Sequence, residues 1–404
     1  MKAMQILLTA AWFGIATCAV AATNTWTGAV DGEWAAPGNW SLGRVPAGGD
    51  VLAFPADAPN KTQNAMTVGS SSSTITLILE GGGYLITNTA AEVWFLGPTT
   101  GNLLSTGDNR VDFSIRDQAS MKFISNDGTL TLGRQIDNPK GLWFEGNGNV
   151  TFLNWIKVGD YARTMSVYST GTVRVQRLGR LRASSGTSAY GVRVASAGTL
   201  LVNGEQDTAT GAGTGVYGIG ADGTLGGIGH AKVTTNVAYL VSGVIGIGYQ
   251  PNSWTPAGNG TLSPGDPLVN GGVGTFTVTV QDRIVFGSDD PAATGTLRMD
   301  VGAAGATDVL VVNGALDLSS TNDVLQLVAP ENAVLTQSAT LMTFTGSRTG
   351  AFSKVRVNGT DVTLRAEQSF NIGAGTARIE YVGMSNGSLL LVPTQPRGTV
   401  IAIR

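Results

Sequence analysis

Apolar and polar residues alternate along this chain in a recurring five-residue pattern: glycine, a small polar residue, an apolar residue, any residue and a second apolar residue. Copies begin at Gly128, Gly148, Gly171, Gly198, Gly274, Gly295 and Gly314. A period of two places the apolar side chains on one strand face, and the leading glycine can turn the chain at positive φ. Within each group of copies the spacing is 19–27 residues. Such recurrence predicts an all-β stack of coils that bury their apolar faces against one another.

The repeating units occupy residues 71–330, which we predict to form the coils of a parallel β-helix. Residues 23–70 differ, because Trp26, Trp34 and Trp40 occur there among glycine, proline and asparagine. We expect this Trp-rich segment to cap the open apolar end and the strand edges of the first coil. The alternative is a binding platform, since an indole face can stack on a sugar ring.

The two ends of the chain carry further signals. Residues 331–404 hold short alternating runs, which predict a small C-terminal β module or cap. Residues 1–22 have the form of a secretory signal peptide, with Lys2, an apolar run over residues 6–20 and a small-residue cleavage site. We therefore expect a secreted chain without a transmembrane segment after cleavage. The only cysteine, Cys18, lies inside this segment and leaves lipid attachment open as an alternative.

Composition narrows the class of protein. The chain has 404 residues, of which 57 are glycine and only 13% are charged. Globular domains carry about 25% charged residues, so this chain is rich in turns and poor in charge. The formal net charge is −3, and a nucleic-acid partner would require a basic excess that the chain lacks.

Three features of the chain carry a family resemblance. They are the series Trp26-Thr27-Gly28, Gly32-Glu33-Trp34 and Asn39-Trp40, the segments 223–229 and 260–266, and the stretch 307–318. Together they resemble secreted proteins that carry autotransporter-associated β-strand repeats. The resemblance implies a right-handed parallel β-helix exported to the surface or medium of a Gram-negative-type bacterium, where such proteins serve as stalks, adhesins or matrix components. We expect no C-terminal autotransporter barrel, because no long run of amphipathic strands follows.

Residues able to carry catalysis are sparse. The chain contains one histidine, His230, and a histidine base needs a carboxylate and a nucleophile or substrate beside it. We interpret His230 as a residue of a coil corner or as a satisfied hydrogen-bonding group. Asp289 and Asp290 resemble the paired aspartates of β-helix polysaccharide hydrolases, but Pro291 marks a turn there. No spacing of histidine or cysteine predicts a metal site, and no cofactor is expected.

Charge is distributed unevenly along the chain. Between Asp160 and Glu205 there is no acidic residue. That interval contains Arg163, Arg174, Arg177, Arg180, Arg182 and Arg193. Residues 266–323 contain eight aspartates against two arginines. Outward charges on a solenoid are in many cases simply solvated, which is the plain interpretation of both segments.

The alternative interpretation is a binding surface. Arg174, Arg177, Arg180, Arg182 and Arg193 would then bind an anionic polysaccharide or the acidic segment of another copy, because complementary charge steers such encounters. We therefore predict a secreted or cell-surface structural protein of adhesin type that is not an enzyme. The alternative is a polysaccharide-active hydrolase or lyase whose carboxylate site the sequence does not reveal.

Overall fold

The computed structural model describes fifteen stretches of the chain. They are residues 22–47, 49–64, 76–87, 93–94, 103–116, 120–137, 141–157, 164–178, 191–205, 216–233, 244–248, 258–287, 293–303, 305–362 and 368–394.

The described residues form thirty-three strands and two short 3-10 turns, at Pro37–Asn39 and Asn270–Gly272. The first strands are β1 (Thr23–Thr25), β2 (Val51–Phe54), β3 (Thr62–Gln63), β4 (Thr76–Leu79), β5 (Leu85–Thr87), β6 (Val93–Trp94), β7 (Leu103–Thr106), β8 (Asn109–Asp112), β9 (Ile115–Arg116), β10 (Ser120–Asp127), β11 (Thr129–Leu132), β12 (Ile136–Asp137), β13 (Gly141–Gly146), β14 (Asn149–Lys157), β15 (Thr164–Val167), β16 (Thr172–Leu178) and β17 (Val192–Val194). They continue with β18 (Thr199–Val202), β19 (Val216–Ile219), β20 (Gly223–Gly227), β21 (His230–Val233), β22 (Val244–Ile247), β23 (Gly260–Pro264), β24 (Thr275–Phe286), β25 (Gly295–Asp300), β26 (Val309–Leu318), β27 (Asp323–Val328), β28 (Ala339–Gly350), β29 (Lys354–Val357), β30 (Thr360–Val362), β31 (Phe370–Ile372), β32 (Gly375–Val382) and β33 (Ser385–Thr394).

Two long sheets of parallel strands run the length of the molecule. In the first sheet, parallel pairing connects β1, β2, β4, β7, β10, β13, β15, β17, β19, β22, β24, β26 and β28 in that order. In the second sheet it connects β3, β5, β8, β11, β14, β16, β18, β20, β23, β25, β27 and β29. Each coil thus contributes one strand to each sheet, and the predicted parallel β-helix is confirmed. With about 4.8 Å between neighbouring strands, the stack is on the order of 60 Å long.

Five of the seven copies of the recurring pattern stack upon one another in the second sheet, whereas the copies at Gly274 and Gly314 lie at β24 and β26 of the first sheet. In the second sheet, the first apolar positions of the pattern form a buried column made of Leu130, Val150, Val173, Leu200, Leu225, Leu262 and Leu297. The polar positions form an outward column in which Thr172, Thr199, Thr224, Thr261 and Thr296 pair in register. Because alternate residues point to opposite faces of a strand, one five-residue pattern builds both the core and the outer surface.

In most copies of the pattern, the leading glycine is required for a reason other than the expected positive φ. Gly128 has φ of +67°, but Gly171 and Gly198 are not in the left-handed region. A Cβ atom on Gly171 would lie 2.1 Å from the carbonyl oxygen of Gly148, and one on Gly198 would lie 2.0 Å from that of Ser169. Close approach of successive coils, rather than backbone conformation, therefore excludes a side chain at these corners.

Parallel pairing begins at Thr23, earlier than residue 71, where the sequence predicted the first coil. Within the predicted cap, residues 26–44 cover the free edges of both sheets. In the first sheet, the N–H of Ser41 donates to the carbonyl oxygen of Thr25 (2.9 Å). Beside the second sheet, the N–H of Asn64 donates to the carbonyl oxygen of Gly32 (2.8 Å). The first coil thus has hydrogen-bonded neighbours along its outer edge.

Pairing becomes antiparallel at the C-terminal end of the stack. β28 still pairs in parallel with β26, but its other edge pairs antiparallel with β33. β33 then pairs antiparallel with β32, and β32 with β31. In the second sheet, β29 pairs antiparallel with β30. Hairpins within the predicted C-terminal module therefore cover the last parallel coil.

Candidate functional site

The three tryptophans of the N-terminal segment lie in the core. Trp26 and Trp34 are fully buried, and Trp40 is nearly so. The rings of Trp34 and Trp40 meet edge to face at 4.8 Å between centroids, those of Trp26 and Trp40 at 5.1 Å, and Phe54 contacts all three rings. No indole face is open to a sugar ring, so the sugar-platform interpretation of these residues does not fit the structure. Their packing fits an aromatic plug that fills the end of the stack.

The predicted arginine surface is divided between the two sheets. Arg174 and Arg177 lie on β16 of the second sheet, whereas Arg193 lies on β17 of the first sheet. Arg180 and Arg182 lie outside the described residues. The sequence placed these residues together because they are near in number, but successive strands of a coil belong to different faces.

Arg174 already has an acidic partner within the chain. Its Nε lies 3.1 Å from Oδ2 of Asp266, and the two side chains are 14% and 1% exposed. Asp266 also accepts hydrogen bonds from Nδ2 of Asn203 (2.7 Å) and the N–H of Leu268 (3.0 Å). Burial raises the pKa of the Asp266 carboxyl, but these hydrogen bonds and the guanidinium outweigh burial, so its pKa lies below the ordinary value. One basic and one acidic group of the predicted surfaces thus neutralise each other inside one molecule.

Arg193 belongs to an aromatic and basic surface on the outer face of the first sheet. We call this surface the Arg193 patch, and it comprises Lys122, Trp143, Glu145, Tyr168 and Arg193. The guanidinium carbon of Arg193 lies 5.6 Å from the centroid of the Tyr168 ring, within the range of a cation–π contact. Tyr168 is 38% exposed. Lys122 Nζ pairs with Glu145 Oε1 at 2.7 Å.

Strand register explains how these side chains meet. Trp143, Ser166 and Arg193 are consecutive partners on β13, β15 and β17. Ser166 between them is small and buried. The side chains of Trp143 and Arg193 therefore border a shallow depression in the outer surface of the sheet. The Nε of Arg193 is buried without a hydrogen-bond partner, and no carboxylate of the described residues forms an ion pair with it. Sequence reasoning missed Trp143 and Tyr168, although the alternation in residues 141–146 already marks Trp143 as outward.

The single histidine lies in a polar cluster on the first sheet. His230 Nε2 lies 2.8 Å from Oγ1 of Thr279, which also accepts a hydrogen bond from Asn313 Nδ2 (3.3 Å). Its Nδ1 lies 3.6 Å from Oε1 of Glu205, and Lys232 Nζ lies 3.2 Å from Oε2 of the same residue. Burial, with Lys232, lowers the pKa of His230. The order acid, histidine, hydroxyl occurs in hydrolases, but 3.6 Å exceeds a hydrogen bond. The cluster fits the predicted satisfied histidine.

Two carboxylates lie near the C-terminal end of the loop at residues 265–273. Asp308 is fully buried and accepts hydrogen bonds from the N–H groups of Gly274 and Asp300, both at 2.8 Å. Burial raises the pKa of Asp308 to about 7. The Asp300 side chain is 29% exposed and pairs with Arg298 at 3.2 Å. A glycosidase needs both carboxyl groups facing the substrate, whereas here only Asp300 faces solvent.

Among the described residues, no three histidine, cysteine or acidic side chains come together as metal ligands would. No helix in the described stretches has the length and apolar character that crossing a membrane demands.

No protein-family model matches the chain, and no curated protein matches it either. The resemblance to autotransporter-associated repeat proteins therefore stays a prediction.

Proposed function

We propose that this protein is a secreted or cell-surface β-solenoid of structural or adhesin type, which binds an acidic glycan without catalysis. The observation that carries the proposal is the Arg193 patch, where an aromatic ring shares the outer face of the first sheet with a guanidinium that forms no ion pair with a carboxylate of the described residues. Aromatic rings stack on sugar rings, and a guanidinium binds carboxylate or sulfate groups with paired N–H donors.

Export to the surface or medium rests on the predicted signal peptide at residues 1–22 and on the family resemblance. Fractionating the native organism tests this part of the proposal. The protein is expected at the cell surface or in the medium with residues 1–22 removed, which N-terminal sequencing would show. Recovery of the uncleaved chain from the cytoplasm would contradict it.

The glycan part is tested by retention on immobilised heparin, used here as a polyanionic sugar. The wild-type chain is expected to bind at low salt and to elute as salt rises, because screening weakens exposed charge pairs. Arg193→Gln removes the guanidinium that no described carboxylate neutralises. It should weaken binding about threefold, since an exposed ion pair contributes up to roughly 1 kcal/mol.

A matched control separates the patch from general charge. Arg378→Gln makes the same change on β32, where Arg378 pairs with Glu380 at 3.0 Å, and it should leave heparin elution unchanged. Tyr168→Ala should weaken binding as Arg193→Gln does. If the wild-type chain passes through heparin at low salt, or if both arginine variants behave alike, the Arg193 patch is not the glycan site.

A further inference from the structure

A loop folds back over the outer face of the second sheet, where a solenoid would otherwise present flat, solvated strands. The loop covers residues 265–273 and follows β23 directly. Asp266 near its start reaches past two intervening strands, β20 and β18, to Arg174 on β16. At its other end, the N–H of Gly274 donates to Oδ1 of Asp308 (2.8 Å). Both ends of the loop are therefore fixed by buried carboxylates.

The loop forms one wall of a groove with a cavity volume of about 260 Å³. Its floor presents the hydroxyl-bearing residues Thr199, Thr224 and Thr261, which pair in register on β18, β20 and β23. The groove continues over Arg298 and Asp300 on β25 and Gln326 on β27. Arg298 and Gln326 are direct register partners.

The charge in this groove is balanced. Nε and Nη2 of Arg298 both lie 3.2 Å from Oδ1 of Asp300, so the pair contributes no net charge. What remains is a mixture of hydroxyl, amide, guanidinium and carboxylate groups, which offers donors and acceptors side by side. That mixture matches the hydroxyl groups of a neutral sugar, each of which both donates and accepts. An acidic ligand would face Asp300 without a free cation.

The anchoring of the loop is hard to explain by stability alone. A buried ion pair must repay the loss of hydration of both charges, and replacing such pairs with apolar residues is often neutral or stabilising. The contact between Arg174 and Asp266 joins residues 92 positions apart, and its structural effect is to fix one wall of the groove. Because this wall is already fixed, less conformational entropy is lost when a ligand binds.

We propose that this groove binds a short segment of a neutral oligosaccharide, with successive sugar rings lying along the threonine column. Neighbouring strands lie about 4.8 Å apart, so the floor presents one threonine hydroxyl to the ligand about every 4.8 Å along the stack. Thr224 and Thr261 contact the ligand through their hydroxyl groups, and Gln326 contacts it through its amide. This site is on the other sheet from the Arg193 patch and does not depend on it.

The experiment is calorimetric titration of the full secreted chain with neutral tetrasaccharides, namely cellotetraose, laminaritetraose, maltotetraose and mannotetraose. At least one should bind, and its affinity should hardly change between low and high salt because no net charge is involved. The double variant Thr224→Val and Thr261→Val keeps side-chain shape and removes two hydroxyls. It should bind about tenfold more weakly, given the usual contribution of a hydrogen bond.

The matched control is Thr129→Val with Thr131→Val, which removes two hydroxyls from β11, outside the groove. It should bind the tetrasaccharide as the wild-type chain does. The proposal is overturned if none of the four sugars binds, or if the control variant loses as much affinity as the groove variant. Heparin retention is measured in parallel, so failure of the groove and failure of the Arg193 patch give different results.

Discussion

At the scale of single residues, two buried aspartates stand out because their carboxyl groups pack inside the stack. Asp308 and Asp323 are both fully buried. Burial raises the pKa of Asp308 to about 7 and that of Asp323 to about 6, above the ordinary value of 3.8. Oδ1 of Asp323 accepts from the N–H of Ser353 at 2.5 Å, but its Oδ2 is buried without a partner. The ionised form of Asp323 is thus poorly accommodated.

A dependence of stability on pH follows from these two groups. Between about pH 4 and about pH 7 the folded chain holds protons that the unfolded chain has released, so stability falls as pH rises. The melting temperature should therefore be higher at about pH 5 than at about pH 8. Asp323→Asn keeps the acceptor for Ser353 and removes the charge. At about pH 8 it should stabilise the fold by on the order of 1–3 kcal/mol, with roughly half that effect at about pH 5, where the unfolded chain is already ionised.

Thermal unfolding followed by circular dichroism at both pH values measures the stability of the wild-type chain and of Asp323→Asn. Asp57→Asn removes an exposed carboxylate and should leave the pH profile of the wild-type chain unchanged. A destabilised Asp323→Asn variant at about pH 8 would show that the buried carboxylate is needed in its ionised form, contrary to the expectation.

At the scale of elements, the coils and a proline-marked loop were predictable, but the contact that folds this loop back over the coils was not. A glycine corner followed by period-two alternation is local information, and it predicted strands such as β11, β16 and β18. The loop at residues 265–273 depends on the pairing of Arg174 with Asp266 across two intervening strands, β18 and β20. No local pattern signals such a contact. For the same reason the sequence grouped Arg174 with Arg193, although a coil places them on different sheets.

The loop anchor gives a prediction at this scale. Asp266→Ala leaves the largely buried guanidinium of Arg174 without its acidic partner and should destabilise the fold by about 3 kcal/mol. Adding Arg174→Met to that variant should recover part of the lost free energy of unfolding, because no unpaired buried charge then remains. Urea unfolding of the two single variants and the double variant measures the coupling between the residues.

Asp361→Ala serves as the comparison, since Asp361 pairs with Arg356 at 2.6 Å on the surface and is 58% exposed. Exposed pairs contribute up to roughly 1 kcal/mol, so this variant should stay close to the wild-type chain. Equal effects of Asp266→Ala and Asp361→Ala would mean that the loop is not held by its buried anchor.

At the scale of the whole molecule, the covered ends determine whether the stack remains monomeric or associates with other copies. A parallel sheet presents a row of unpaired N–H and C=O groups at each terminal strand, and such edges pair with other chains. Here residues 26–44 cover the first coil, and antiparallel hairpins cover the last. The sequence predicted both caps from a change in pattern, while the aromatic plug within the first one became visible only through packing of Trp26, Trp34 and Trp40.

Removing the N-terminal cap should therefore convert the molecule into an associating one. A chain that starts at residue 45 lacks β1 and exposes the edge of β2, where the carbonyl oxygen of Ala53 normally accepts from the N–H of Trp26 (2.7 Å). Sedimentation velocity should show larger species that grow with concentration, whereas the chain that retains residues 22–44 should not change over the same range. Ala53→Lys in the shortened chain places a charge on the exposed edge strand and should suppress the association. Association that persists with Ala53→Lys would place the contact elsewhere on the surface, and a shortened chain that behaves like the full one would show that the cap does not protect this edge.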